Sequence, residues 1–135
     1  MKSRAQAGLE YLVLFGLVLS SLLFIAYSFY SDFQLRSREF QAKVAVDRLA
    51  SAADAVTAQG PGSTTRVLAY FPPGIANATA GGREITLSVL STGGRKVDVF
   101  QVTLANLTFS QLPLVETRYS FLVSYDSGNV TIKLE

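Results

Sequence analysis

The chain has no cysteine, no histidine and no tryptophan in 135 residues. That removes thiolate and imidazole chemistry, the usual zinc ligands and disulfide stapling. It leaves the compartment open, because an exported domain without bridges is simply held by packing. Also missing are a phosphate-binding Walker loop, a dinucleotide fingerprint and a serine elbow. Gly93-Gly94-Arg95-Lys96 reads as part of a hairpin and not as a phosphate cradle, since no helix follows it. Asp98, Glu116 and Asp126 are single carboxylates in or beside predicted strands. Two of them could meet as an acid–base pair, but solvation at a surface is the simpler reading. The sequence therefore predicts no enzyme, no metal and no cofactor.

Charge is missing from one long stretch. Tyr11 to Tyr30 contains no Asp, Glu, Lys or Arg. Twenty apolar and small residues are enough to cross a bilayer as a helix at about 1.5 Å per residue. Lys2 and Arg4 precede this stretch, which sets the N-terminus in the cytoplasm and sends the C-terminal bulk across. One carboxylate, Glu10, stands at its edge. A carboxylate there is costly in lipid and calls for a partner, and its own helix offers none.

Three readings of this N-terminus compete. A cleaved secretory signal would use the small residues around Ala26-Tyr27-Ser28, although the apolar stretch is long for that and the helical pattern continues past it. An uncleaved signal anchor is the second. The third turns on Gln6-Ala7-Gly8-Leu9-Glu10-Tyr11-Leu12-Val13-Leu14, where Gln6, Glu10 and Leu14 fall at fixed spacing after a basic residue. This resembles the class III signal peptide of archaeal type IV pilin-like proteins, with Gly8 where that family usually has Ser. The resemblance covers residues 4–30 and is architectural beyond them.

The resemblance implies a processing site made by Arg4, Ala5, Gln6 and Gly8, cut at the Ala5–Gln6 bond by a membrane prepilin peptidase. Twelve basic residues less Lys2 and Arg4 leave ten, against ten acidic ones, so the mature chain would be neutral. The sequence pI of about 9.0 includes the leader, and a neutral chain has no basic stripe for nucleic acid. Cutting there also creates an α-ammonium at Gln6, unfavourable beside its own helix N-terminus. Glu10 of a neighbouring copy would pair with it. The alternative is a solvated Glu10 at the cytoplasmic headgroup level. Gly8, Leu14, Gly16 and Ser20 would lie where neighbouring helices pack, the small ones allowing close approach, though such residues are ordinary in membrane helices. By the same resemblance, the partners are further copies in a helical filament, the peptidase, an assembly ATPase and a platform protein, with the membrane as host before assembly and the cell surface after it.

Beyond the apolar stretch the helix continues. Leu35, Ala42, Val46, Leu49, Ala53 and Val56 recur at helical spacing and form one stripe. The charges Arg38, Glu39, Lys43, Asp47, Arg48 and Asp54 lie mostly elsewhere. The helix is predicted from about Gln6 to Ala58, roughly 80 Å long, and Gly60-Pro61-Gly62-Ser63 ends it.

From Thr64 the period changes from helical to alternating. Strands are predicted at Arg66–Phe71, Glu84–Leu90, Lys96–Leu104, Leu107–Leu112, Tyr119–Tyr125 and Val130–Leu134. Thr92-Gly93-Gly94 and Asp126-Ser127-Gly128-Asn129 read as turns. Within the third strand the apolar parity shifts from Val97 and Val99 to Phe100, Val102 and Leu104, which predicts a bulge or twist near Phe100. The fold class is α+β, a long N-terminal helix with a small antiparallel sheet or partial sandwich, the pilin-like lollipop. Its divisions are a leader at 1–5, a hydrophobic helix at 6–30, an amphipathic helix at 31–59, a linker at 60–63 and a β-domain at 64–135.

Every asparagine in the chain, Asn77, Asn106 and Asn129, opens an Asn-X-Thr sequon. Three of three favours an exported, glycosylated surface, while the plainer reading is that turns favour both Asn and Thr. The expected function is a structural subunit of an archaeal type IV-like pilus or related filament. The alternative is a membrane-anchored extracellular β-domain that never polymerises, of minor-pilin or archaellum-stator kind, binding the S-layer.

Overall fold

The computed structural model describes the backbone of residues 2–90 and 94–135, and side chains from residue 6 onward within those ranges. One helix, α1, runs from Lys2 to Gln59, and five strands follow: β1 (Thr64–Phe71), β2 (Ile75–Leu90), β3 (Lys96–Gln111), β4 (Thr117–Asp126) and β5 (Asn129–Leu134). The chain divides into two compact units, Met1–Gln34 and Leu35–Glu135. The boundary falls inside α1, so the second unit contains the amphipathic half of the helix together with the sheet.

That half of α1 forms for the reasons the sequence suggests. It is rich in Ala, free of Gly and Pro, and apolar along one stripe. Ala42, Val46, Leu49, Ala53 and Val56 are fully buried and share one core with the inner face of the sheet, while Leu35 is half-buried. Gly60 and Gly62 take positive φ (98° and 85°) and stop the helix. The Ser63 hydroxyl donates to the Val56 carbonyl at 2.6 Å, which also accepts from the Gly60 N–H at 3.2 Å, so the last turn is closed from two sides.

The sheet has the order β1-β4-β5-β3-β2. β1 with β4, β4 with β5, and β2 with β3 are antiparallel. β3 and β5 run parallel, with Leu107 opposite Val130, so the sheet is mixed. Alternation in a sequence marks strands and faces but not strand order or direction, so this central junction was not legible. The core between sheet and helix is filled by Phe71, Ile85, Leu87, Val89, Phe121, Val123 and Val130. Phe71, Tyr119 and Phe121 stack about one another with ring centres 5.5–5.9 Å apart, the offset and edge-on contacts that aromatic rings favour.

Two strands are longer than their sequence signals. β2 begins at Ile75 and not near Glu84, and β3 joins the two expected strands at 96–104 and 107–112 into one. The expected bulge near Phe100 is not there. Pairing runs without a break from Leu90–Lys96 to Glu84–Val102. Phe100, Val102 and Leu104 stay on the outward parity and are 60%, 60% and 81% exposed. The irregularity lies further on. Val102 pairs with Glu84 and Leu107 with Gly82, so β3 spends five steps against two on β2. The expected turn at Thr92-Gly93-Gly94 has Thr92 and Gly93 outside the described residues.

Candidate functional site

Two regions carry candidate function, one in each unit. In the first, residues 6–34 form helix and every side chain from Gln6 to Phe33 is exposed. The large apolar residues between Leu9 and Phe33 contribute nothing to the core. Taken with its composition, this is one helix long and apolar enough to cross a membrane.

The hydroxyls within it are satisfied locally. Ser20 Oγ donates to the Gly16 carbonyl at 2.8 Å and Ser21 Oγ to the Leu17 carbonyl at 2.9 Å. A hydroxyl that bonds its own backbone enters an apolar environment without needing another partner. At the end of the stretch the Gln34 amide donates to the Tyr30 hydroxyl at 3.0 Å. Gly8 and Gly16 face open space, with nothing within 4 Å of where a Cβ would stand. The fold of this one copy does not require their smallness.

Gln6 and Glu10 are one helical turn apart and share a face. Glu10 is exposed and forms no ion pair among the described residues. Leu14 continues that face and is 59% exposed. The Ala5–Gln6 peptide lies inside α1, so cleavage there requires the first turns to open, which helix ends do at low cost. The side chains of Arg4 and Ala5 lie outside the described residues.

In the second unit the sequon asparagines are all exposed, Asn77 on β2, Asn106 on β3 and Asn129 at the start of β5. The parallel β3–β5 junction brings two of them together. Asn106 Nδ2 donates to Asn129 Oδ1 at 2.7 Å, and that nitrogen is the atom a glycan would use. The carboxylates considered for acid–base work each have a separate neighbour. The Ser88 hydroxyl donates to Asp98, with Lys96 Nζ 3.4 Å away. The Tyr70 hydroxyl donates to Glu116 at 2.8 Å, and Ser127 donates to Asp126 at 3.2 Å. The Ser88 bond, and less so Lys96, holds the Asp98 carboxyl below its usual range. The bond to Glu116 pushes the Tyr70 phenol up. Among the described residues no group of three His, Cys, Asp or Glu could hold a metal.

The polar group that sequence reasoning missed is Asp54. It sits on α1 beside the stripe, half-buried, and its carboxylate accepts from the Thr103 hydroxyl, from the Leu104 N–H at 2.8 Å and from the Ala105 N–H at 3.3 Å. These are the extra β3 residues that β2 does not pair. One carboxylate thus fastens the helix to the widened part of the sheet and satisfies amides that the ladder leaves over. The only sequence signal was a single acid bordering an apolar stripe, and its partners lie 49 to 51 residues away. Comparison with protein-family models, with curated proteins and with solved structures finds no match.

Proposed function

We propose that the chain is a structural subunit of an archaeal type IV pilus-like filament on the cell surface, held in the membrane by its N-terminal helix until it assembles. One observation carries the reading. From Leu9 to Phe33 the helix exposes large apolar side chains, and the Gln6–Glu10–Leu14 motif stands at its start. That surface must leave water, either in lipid or among helices of its own kind.

In the proposed sequence of events a peptidase cuts Ala5–Gln6. An ATPase and a platform protein then lift the helix from the bilayer into a bundle, where Glu10 of one copy neutralises the new α-ammonium of another. The sheet unit forms the outer coat, with glycans at sequon asparagines. Apolar exposure on all sides of the helix also suits a single copy in a bilayer, which supports the second reading, an anchored β-domain that never polymerises. Sheared surface material, imaged and digested for the mass of its N-terminal peptide, separates the two. The filament reading expects filaments and a peptide starting at Gln6. A Met1 start, or a product confined to membranes, overturns it.

A further inference from the structure

The second unit carries two exposed apolar features that its own core does not use. One is a groove of about 570 Å³ between α1 and the edge strand β1, lined by Phe40, Val44, Arg48, Leu68, Tyr70 and Arg118 among others. Phe40 and Leu68 are 68% and 62% exposed. Its lining includes two cations and no carboxylate, and among the described residues neither Arg48 nor Arg118 forms an ion pair. The other feature is the outward row Phe100, Val102 and Leu104 on β3. Soluble surfaces rarely keep such a row bare. Glu84 stands directly opposite Val102 on the same face, with only the Thr86 hydroxyl as a side-chain partner among the described residues.

We propose that the Phe100–Val102–Leu104 ridge of one copy seats in the Phe40–Val44–Leu68 groove of the next, with Glu84 meeting Arg48 and Arg118. The dimensions agree. Phe40 to Arg48 spans eight residues of helix, about 12 Å, and Phe100 to Leu104 spans four residues of strand, about 14 Å. The charges agree as well. Arg48 and Arg118 line the groove, Arg48 donating only to the Leu68 carbonyl at 3.3 Å and the nearby Glu116 being held by the Tyr70 hydroxyl. Glu84, which forms no ion pair among the described residues, borders the ridge.

The two features cannot meet within one molecule. In the order β1-β4-β5-β3 they lie three strand spacings apart, about 14 Å, and the ridge is on the face turned away from the helix. The contact is therefore head-to-tail. Each copy that donates a ridge keeps an open groove, and such an interface builds an open chain or a ring and not a closed twofold dimer. The inference deepens the filament reading and rests on it for the side-by-side supply of copies.

The absence of cysteine makes the test clean. Val44→Cys and Val102→Cys are placed together in the full chain, expressed in its native host, and oxidised on intact cells. A ladder of disulfide-linked multimers is expected from the pair, and no ladder from either single variant. In the Cys-pair background Arg48→Glu and Glu84→Arg should each lower ladder yield about tenfold, and both together should restore it. Filaments seen by microscopy without a ladder overturn the interface and leave the filament reading standing. A ladder in membranes without filaments upholds the interface and overturns the filament. Neither filaments nor ladder overturns both, and a lone linked dimer from Val44→Cys alone replaces the head-to-tail contact with a symmetric one.

Discussion

Asp54 serves three donors with one carboxylate, and removing it strands the Leu104 amide and the Thr103 hydroxyl in a widened strand, while the Ala105 amide keeps the Thr103 hydroxyl oxygen at 3.1 Å. Asp54→Ala should cost about 2–3 kcal/mol, since bonds to a charged acceptor are the strong ones and their orphaned partners are expensive. Asp54→Asn, which keeps an acceptor, should cost less, and Thr103→Val about 1 kcal/mol. Denaturant unfolding measures all three, and an Asp54→Ala protein as stable as its parent would refute the clasp. Asp98 gives a second residue-level expectation. Its folded value lies below 3.8, chiefly through the Ser88 hydroxyl. A lowered carboxyl contributes stability that is complete above the unfolded value and is lost as pH falls through the lower, folded one. The melting temperature should therefore drop as pH goes from 3.8 downward, and Ser88→Ala should flatten that drop. Glu10 belongs to the filament reading. Glu10→Gln should leave the chain in the membrane and reduce filaments, and undiminished filaments would refute the pairing.

At the scale of elements, α1 is two kinds of helix in one run. The stripe from Ala42 to Val56 was legible because a 3.6 period survives burial on one face. Leu49 is wholly buried on it, and Leu49→Ala should cost about 2–5 kcal/mol by leaving a cavity. The exposed Phe40→Ala should change unfolding little. Equal losses at the two positions, read by thermal melting, would contradict the assigned face. The strands were legible where β-branched and aromatic residues alternate, as in Tyr119–Tyr125. The first part of β2 was not, because Ala76, Ala78, Ala80, Gly81 and Gly82 carry almost no strand signal. Gly81 allows a close contact there: a Cβ would stand 3.0 Å from the Phe109 ring, which would have to shift to admit it. The parity shift at Phe100 misled for an opposite reason. Apolarity normally marks the buried face, and on β3 it also marks the outward one, so a pattern rule that assumes one apolar face per strand infers a bulge. The Asp54 clasp and the parallel β3–β5 junction depend on contacts between distant segments, which local patterns do not encode.

At the scale of the molecule, the core is confined to residues 42–132, while residues 6–33 are exposed along their length. The core that gives stability and the apolar helix that is long enough to cross a membrane are therefore separate parts of the chain. A chain lacking residues 1–34 keeps every core side chain, the Asp54 clasp and the Ser63 cap at the helix end. It should unfold in a single cooperative step with the β-rich circular dichroism of the sheet. It should also lose attachment to lipid vesicles, because the only apolar helix that can cross a bilayer among the described residues has gone. The full chain should float with vesicles on a density gradient. If the shortened chain instead melts without cooperativity, the first 34 residues take part in folding. If it still floats, the exposed ridge on β3 binds lipid. Its assignment to a neighbouring copy would then have to yield, because one apolar row cannot be covered by both.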